Sequence, residues 1–445
     1  MAWPAADRRL ARRLPSAGPG LAARAHQPGA GRPPARQRPQ PAGADGLIPV
    51  ARPFGAVALV LQGGGALGAY QAGVAEALLE RGIEPDWVAG ISIGALNAAL
   101  IAGNAPEHRL QALRGFWDTV CQPALPMPWL DAWQDWVVQQ APSTQRLFSA
   151  GAAARALVEG QRAFFAPRGA WPWLGLDEGP TASFYDTAAL RHTLESRVDF
   201  ERLNAGAMRV SVGAVNVATG NLVYFSNRDS AAGPARRLGP EHFMASGALP
   251  PAFPAVQIDG EHYWDGGLVS NTPLQHVLDE QGPEAPAMVA FQVDLWRARG
   301  PLPRNVYEVQ ERIKDIQYSS RTRAGTDHVA ELRRWQQVLA KLLPQLPAEL
   351  RESDLWCRLA EQMGARAGAA APVSVVHLIY QDKDWESQAK DYEFSPRSMR
   401  MHWQAGLADA RAALSHEAWW QGLPAGTAAF ATHDVRRAGG AQPGG

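Results

Sequence analysis

AVALVLQGGGALGAYQAGVAEALLERGIEPDWVAGISIGALNAALIAG, residues 56–103, decides the fold. Val57–Leu61 is a short run rich in Val and Leu, the composition of a buried strand, and glycines stop it. Leu67, Tyr70, Val74, Ala77 and Leu78 then recur at helical spacing, and Gly82 ends the helix. Trp87–Ile91 is a second apolar run. Ser92 follows it, and Gly94–Ala102 is an Ala-rich helix whose small residues permit close packing on a sheet. Strand, helix, strand and helix with short joins predict parallel strands and a right-handed crossover. Trp87–Pro106 is also an uncharged run of twenty residues, the length of a bilayer span. It holds Ser92, Asn97, Asn104 and glycines at 90, 94 and 103, so a strand plus a buried helix accounts for it better.

Downstream, Glu107–Val120 has a helical pattern. From Trp117 to Trp173 lie six of the sixteen tryptophans, with prolines between them. An insertion over 117–175 beside the sheet is expected. Its Trp129, Trp133, Trp136, Trp171 and Trp173 belong either to the core or to an interfacial lid, since tryptophan favours membrane–water boundaries. Thr187–Ser196 is helical, with Asp186 or Thr187 as N-cap. Arg209–Val217 and Leu222–Ser226 flank Thr219-Gly220-Asn221, a hairpin signal. His242–Leu249 is a short helix closed by Pro250-Pro251, and Gln257–Trp264 is a hairpin turning at Asp259-Gly260. Met288–Leu295 and Val373–Tyr380 are strands. Val306–Leu343 is one or two helices, and Ser398–Trp420 a closing helix. This alternation predicts an α/β protein with a mostly parallel central sheet and helices on both faces.

The chain has 445 residues, 46% of them hydrophobic, and no net formal charge. That length suits one large domain or two ordinary ones. The first fifty residues hold eight Arg and nine Pro but no Lys or Glu. Residues 1–54 are therefore expected to be a disordered Arg/Pro-rich tail, the alternative being a basic tail that touches anionic lipid. No apolar h-region follows the early Arg cluster, so no secretory signal is expected. Residues 422–445 are expected to be a second disordered tail. Nothing in the globular part suggests a nucleic-acid-binding surface. Two cysteines, Cys121 and Cys357, fit a reducing compartment, hence a cytoplasmic protein, with the basic tail and the Trp-rich insertion as the candidates for peripheral membrane contact. No His/Cys spacing suits zinc and the acids are scattered, so no metal or other cofactor is expected. Nothing in the sequence specifies an oligomer.

Three motifs carry chemistry. Gly90-Ile91-Ser92-Ile93-Gly94 is a G-x-S-x-G nucleophile-elbow pattern, although a plain N-cap serine would look the same in isolation. Gly63-Gly64-Gly65-Ala66-Leu67-Gly68 fits the G-x-G-x-x-G dinucleotide fingerprint. That use needs an acidic residue at the end of the second strand, where Ser92 stands; Asp86 precedes the strand. The same glycines can instead aim N–H groups at a carbonyl oxygen gaining charge, as an oxyanion hole. Third, a serine hydroxyl needs a base. Asp265-Gly266-Gly267 lies 173 residues after Ser92, at the end of a predicted strand. Asp259-Gly260 reads as turn chemistry.

Together and in this order, the three motifs resemble the patatin-like phospholipase family. The resemblance runs from about Val57 to Pro273 and includes Ser246-Gly247-Ala248-Leu249-Pro250-Pro251-Ala252-Phe253-Pro254 and Asn271-Thr272-Pro273. It implies a three-layer α/β/α sandwich, with a catalytic domain over 55–285 and an extension over 286–421 packed on it. It implies Ser92 as nucleophile and Asp265 as proton acceptor of a Ser–Asp dyad, and Gly63, Gly64 and Gly65 as the oxyanion hole. Gly68, Gly90, Gly94, Gly266 and Gly267 would support the motifs. The substrate would be a lipid or other ester, hydrolysed through an acyl-enzyme. Many members carry Arg or Lys where this chain has Leu67. Two rivals stay open: a generic carboxylesterase acting on non-membrane esters, and a catalytically silent lipid- or protein-binding module. A histidine triad would draw on His276, His328, His377 or His402, none of which sits in a recognisable motif.

Overall fold

Ala56–Leu61 (β1) and Trp87–Ile91 (β2) lie side by side in parallel, Ala58 opposite Trp87 and Leu61 opposite Gly90. Gly68–Glu80 (α1) connects them, and Ile93–Ala102 (α2) leaves β2. In the computed structural model, residues 54–122, 144–169, 172–174, 182–206, 208–229, 233–281, 285–319, 371–381, 386, 389–415 and 430–434 are described, with single positions between 133 and 137 and between 331 and 358. The expected tail over 1–54 lies, apart from Phe54, outside them. Residues Pro49–Gly445 form one unit.

The remaining strands are β3 (Ala166–Pro167), β4 (Tyr185–Asp186), β5 (Arg209–Asn216), β6 (Leu222–Ser226), β7 (Val256–Ile258), β8 (Glu261–Asp265), β9 (Met288–Asp294), β10 (Val373–Ile379) and β11 (Phe430–Asp434). β3 and β4 form a small ladder of their own. The others build a nine-stranded sheet in the order β11-β10-β9-β1-β2-β5-β8-β7, with β6 also on β5. Pairing is parallel from β11 to β5 and antiparallel among β5, β6, β8 and β7.

Both faces of β1 are covered, as an all-apolar central strand requires. Val57, Leu59 and Leu61 join one buried cluster with α1 and α2; Ala58 and Val60 join a second with Leu274, Val277 and Leu278 of the helix Leu274–Asp279. This is the three-layer α/β/α arrangement. The uncharged run Trp87–Pro106 divides into β2, the buried helix α2 and the start of the next helix. Among the described residues no helix is long and apolar enough to cross a membrane.

Three expectations about segment boundaries are corrected. The proposed extension after residue 285 is not a body packed on a finished domain. β9 pairs with β1 over six positions, and β10 pairs with β9, so a cut at 285/286 would run through the middle of the sheet. Likewise part of the expected tail 422–445 is a strand: Phe430–Asp434 pairs in parallel with Val373–His377 and forms the sheet edge. Five residues with little alternation give too weak a periodic signal to stand out without their partner. The helix predicted over Val306–Leu343 is continuous over 306–319; beyond that only isolated helical positions are described. The expected insertion begins too early at 117, because Trp117 is fully buried in the helix Pro106–Val120 and donates its ring N–H to Asn97 Oδ1 at 3.0 Å. Trp133 and Trp136 are exposed, while Trp129, Trp171 and the side chain of Trp173 lie outside the described residues.

The long helix Pro396–Leu414 closes one layer against α1 at backbone distance. A Cβ on Gly73 would sit 2.0 Å from Trp403 O, and one on Gly406 2.0 Å from Tyr70 O. Gly406→Val is expected to destabilise the protein by about 3 kcal/mol, the cost of forced overpacking. Its urea midpoint should fall well below wild type; an unchanged midpoint would contradict this packing.

Candidate active site

The sheet register explains how residues 173 apart in sequence meet. β6 runs along one edge of β5 over Ser211–Val215. β2 and β8 therefore share the other edge, β2 ending with Ile91 opposite Gly213 and β8 ending with Asp265 opposite Ala214. Neighbouring positions on β5 thus bring the residue after Ile91, which is Ser92, beside Asp265. The Ser92 side chain faces the Asp265 carboxylate closely enough to favour its ionised form.

Ser92 adopts φ 55 and ψ −124 at the head of α2. A non-glycine residue in this region carries strain of about 1–3 kcal/mol and persists only where its surroundings enforce it. The enforcement is visible. The Ser92 N–H donates to Ser246 Oγ at 3.0 Å, and that hydroxyl donates to Gly213 O at 2.6 Å. Glycine is needed on both flanks: a Cβ on Gly90 would lie 2.4 Å from the carbonyl of Gly94, and one on Gly94 2.4 Å from Leu61 O. The helix start is thereby pressed against the strands.

The glycine-rich turn Gly63–Gly65 sits against this elbow. A Cβ on Gly63 would be 3.1 Å from Ser92 Cβ. Gly65 has φ +54, and a Cβ there would meet Asp391 O at 2.0 Å. Of the three glycines expected to form an oxyanion hole, Gly63 has its N–H committed, donating to Asn271 O at 3.0 Å. It therefore corrects the expected donor set: a donor already bonded cannot serve an oxyanion without breaking that bond. Among the described residues the N–H groups of Gly64 and Gly65 have no partner. Asn271 also donates through Nδ2 to Gly63 O at 2.9 Å, and Trp296 Nε1 donates to the same oxygen at 2.8 Å.

Buried amides brace the turn. Gln62 Oε1 accepts from the N–H groups of Leu295 at 2.6 Å and Trp296 at 3.1 Å, and its Nε2 donates to Thr272 Oγ1 at 2.9 Å. Gln71 Nε2 donates to Gln62 O at 2.6 Å, and Asn97 Nδ2 donates to Gln71 Oε1 at 2.9 Å. Ser246 and Asn271 stood in sequence only as parts of a matching stretch, while Gln62, Gln71 and Trp296 gave no signal. Their function is set by partners more than two hundred residues away or on the next helix, which single-sequence spacing does not encode.

Ser92, Asp265 and Gly63–Gly65 all line one cavity holding about 960 Å³ of empty space, part of it open to solvent. Phe164, Phe165, Tyr185, Phe253 and Phe394 wall it, packed tilted or edge-to-face, with Phe165 5.4 Å from Phe253 and Phe164 5.7 Å from Phe394 between ring centroids. Phe164 and Phe165, between Trp136 and Trp171, thus bring the expected insertion to the site, and Tyr185 follows just after it. Of the supporting glycines, Gly267 lines the cavity and donates its N–H to Asp265 Oδ1 at 2.7 Å. Gly68 lies under Ile93, and Gly266 abuts Gly213 O. No described histidine lines the cavity. His276 stacks on Tyr224, and His402 Nε2 pairs with Glu386 Oε1 at 2.6 Å. Asp259 is at an exposed turn, paired with Arg236.

Residues 59–278 match the sequence model of the patatin-like phospholipases, and residues 316–425 match a second one described as patatin phospholipase. The chain belongs to the patatin-like phospholipase family. Within this patatin-like chain, 60 residues are 48% identical to a patatin-like phospholipase domain-containing protein of Aspergillus oryzae and 45% identical to one of Aspergillus niger. Each match covers 14% of this chain and 8% of the relative, so the chain spans under a tenth of the length of these curated relatives. Among solved structures it is similar to VipD from Legionella pneumophila, with 13% identity, TM-score 0.30 and coverage of 80% of this chain and 66% of that one. Human GIVD cytosolic phospholipase A2 matches at 11% identity and TM-score 0.27, over 53% of this chain and 42% of that one.

Burial pushes the Asp265 carboxyl up to about 7, against the hydrogen bonds from Ser92 and the Gly267 N–H that favour its ionised form. Because the folded value lies above the ordinary one, the native state binds this proton more tightly than the unfolded chain. Ionised Asp265 then costs stability, progressively from about pH 4 to pH 7. Asp265→Asn removes that cost. Its melting temperature relative to wild type should be higher at pH 8 than at pH 5; a pH-independent difference would contradict an ionisable buried carboxyl.

Proposed function

We propose that this protein is a serine acyl hydrolase that cleaves carboxylic esters of lipids, with Ser92 as nucleophile and Asp265 as its base. The observation that carries this reading is the convergence of Ser92 and Asp265, side by side, on the lining of one apolar, aromatic-walled cavity. Ser92 Oγ attacks the ester carbonyl carbon while its proton passes to Asp265. The carbonyl oxygen becomes an oxyanion and takes hydrogen bonds from the N–H groups of Gly64 and Gly65, with the positive end of α2 adding to the field. The tetrahedral intermediate collapses, the C–O bond to the alcohol breaks, and the alcohol leaves with the proton from Asp265. Water then attacks the acyl-Ser92 carbonyl as Asp265 takes its proton; the C–O bond to Ser92 breaks, Ser92 Oγ takes that proton back from Asp265, and the free acid departs.

Several features support the assignment. A carboxyl raised to about 7 is a better base near neutral pH than an ordinary one, and it is still ionised in good part at pH 7. The aromatic wall suits an acyl chain, and the family is one of lipid hydrolases by description. Among the described residues no histidine lines the cavity, which favours the dyad over a histidine triad; His328 lies outside the described residues. Intact Ser92 and Asp265 argue against a silent module. Phospholipid is favoured over a non-membrane ester by the family alone, so the test spans both.

Activity should be measured on p-nitrophenyl esters of increasing chain length and then on phospholipid vesicles. Long acyl chains should be preferred, and Ser92→Ala should lose at least a thousand-fold in kcat/KM together with labelling by a fluorophosphonate probe. Equal labelling of Ser92→Ala and wild type would sink the assignment. In wild type, kcat/KM should rise from acid pH through about 7 and then level, because the base must be deprotonated. A profile flat between pH 5 and 8 would remove Asp265 from that role.

A further inference from the structure

Leu67 is fully buried, and Gly63–Gly68 contains no charge, yet the turn is gripped by a segment held through charge. Lys314 and Asp315 are consecutive on the helix 306–319. Lys390 and Asp391 are consecutive on the segment leading to the long helix Pro396–Leu414. The two dipeptides pair crosswise. Lys314 Nζ donates to both carboxylate oxygens of Asp391, at 2.7 and 2.9 Å, and Lys390 Nζ donates to Asp315 Oδ1 at 2.9 Å. Lys390 and Asp315 are almost fully buried, at 1% and 2% side-chain exposure; Lys314 and Asp391 are at the rim, at 30% and 22%. Arg297 Nε and Arg312 Nη1 lie 3.7 and 3.8 Å from Asp315 Oδ2, and Glu311 Oε1 lies 3.6 Å from Lys390, so each member of the inner pair has further opposite charge beside it.

Both halves of this double pair end on the glycine turn. The Asp391 carbonyl accepts the Ala66 N–H at 2.8 Å and occupies the space that a side chain on Gly65 would need. Lys390 Nζ stands 5.1 Å from the centroid of the Trp296 ring, and the N–H of that ring donates to Gly63 O at 2.8 Å. One end of the turn is thus held through Trp296 and the other through the Asp391 backbone. Between them lie the N–H groups of Gly64 and Gly65. Tyr318, one helical turn beyond Lys314, and Asp391 itself line the cavity.

We propose that the crossed pairs Lys314–Asp391 and Lys390–Asp315 are a positioning device for the glycine turn, locking its Gly64 and Gly65 N–H groups into the geometry that receives the oxyanion. This rests on the function proposed above. None of the four touches the reacting atoms; they act through Trp296, the Asp391 carbonyl and Ala66. A turn rich in glycine has more backbone freedom than any other sequence and loses the most entropy when fixed. Preorganised donors work only if that freedom has been removed beforehand. Buried ion pairs fix one arrangement even where they add little net stability.

The rim pair is the one to change, because the inner pair would leave an uncompensated buried charge and endanger folding. Lys314→Asp and Asp391→Lys each place like charges together, and the double variant Lys314→Asp/Asp391→Lys restores opposite charges with reversed polarity. Two readouts are taken on wild type, both singles, the double and Ser92→Ala: amide hydrogen exchange of a peptide spanning 62–70, and kcat and KM on a soluble p-nitrophenyl ester. Each single variant should exchange faster in that peptide and lose about ten-fold or more in kcat with KM within two-fold; the double should recover both within about three-fold. Exchange and kcat at wild-type values in the singles, or no recovery in the double, would overturn the proposal. So would faster exchange with unchanged kcat while Ser92→Ala is inactive, since the turn would then be held without any need for it. If Ser92→Ala keeps full activity, the proposed function fails instead, and the exchange readout alone decides whether the pairs hold the turn.

Discussion

A carboxylate buried beside a serine, with no cation to balance it among the described residues, is the constraint around which this structure is arranged. Asp265 is nearly inaccessible; its carboxylate accepts the Gly267 N–H and faces the Ser92 hydroxyl. Left alone, such a group would take up a proton or draw in water. The fold holds it in place by making it the last residue of β8, opposite Ala214, while β2 ends one position earlier along the same edge of β5. Ending two strands on one edge costs the sheet some ladder hydrogen bonds. It also places a strained serine and a raised carboxyl within hydrogen-bond reach on a rigid support.

The neighbouring structure is organised to keep those two ends still. Ser246 clamps the backbone of Ser92 to Gly213. Asn271 and Trp296 both bond to Gly63, and a run of buried amides from Trp117 through Asn97 and Gln71 to Gln62 ties α2, α1 and β9 to the same turn. Each polar group in that run would cost about 1–3 kcal/mol if left unpaired in the core, so its members stand or fall together. This is why residues after 285 cannot be regarded as an appendage: β9 lies in the middle of the sheet, Trp296 holds the turn, and the segment around Lys390 closes over it.

Much of this was legible in the sequence because it is local. The strand–glycine–helix rhythm of residues 56–103, the elbow at Ser92, the hairpin at Asp259-Gly260 and the strand ending at Asp265 all announce themselves within a few positions. What could not be read is non-local. Whether Gly63 donates outward or inward depends on Asn271, more than two hundred residues on. Phe430–Asp434 has no identity as a strand until β10 offers it an edge. Lys314 and Lys390 look like ordinary surface charges, since a lysine four residues from a glutamate or beside an aspartate is the commonest of patterns. Trp117 sits at the end of a legible helix and at the start of a run of tryptophans, and only its N–H on Asn97 places it in the core.

The most direct measurement of the central claim is the covalent intermediate itself. Wild-type protein mixed rapidly with a slowly deacylating p-nitrophenyl ester should release a burst of nitrophenol equal to the enzyme concentration. Acid quenching and peptide mass analysis should then find one acyl group on the peptide containing Ser92. A single linear phase with no added mass, or an acyl group on any other residue, would contradict the account.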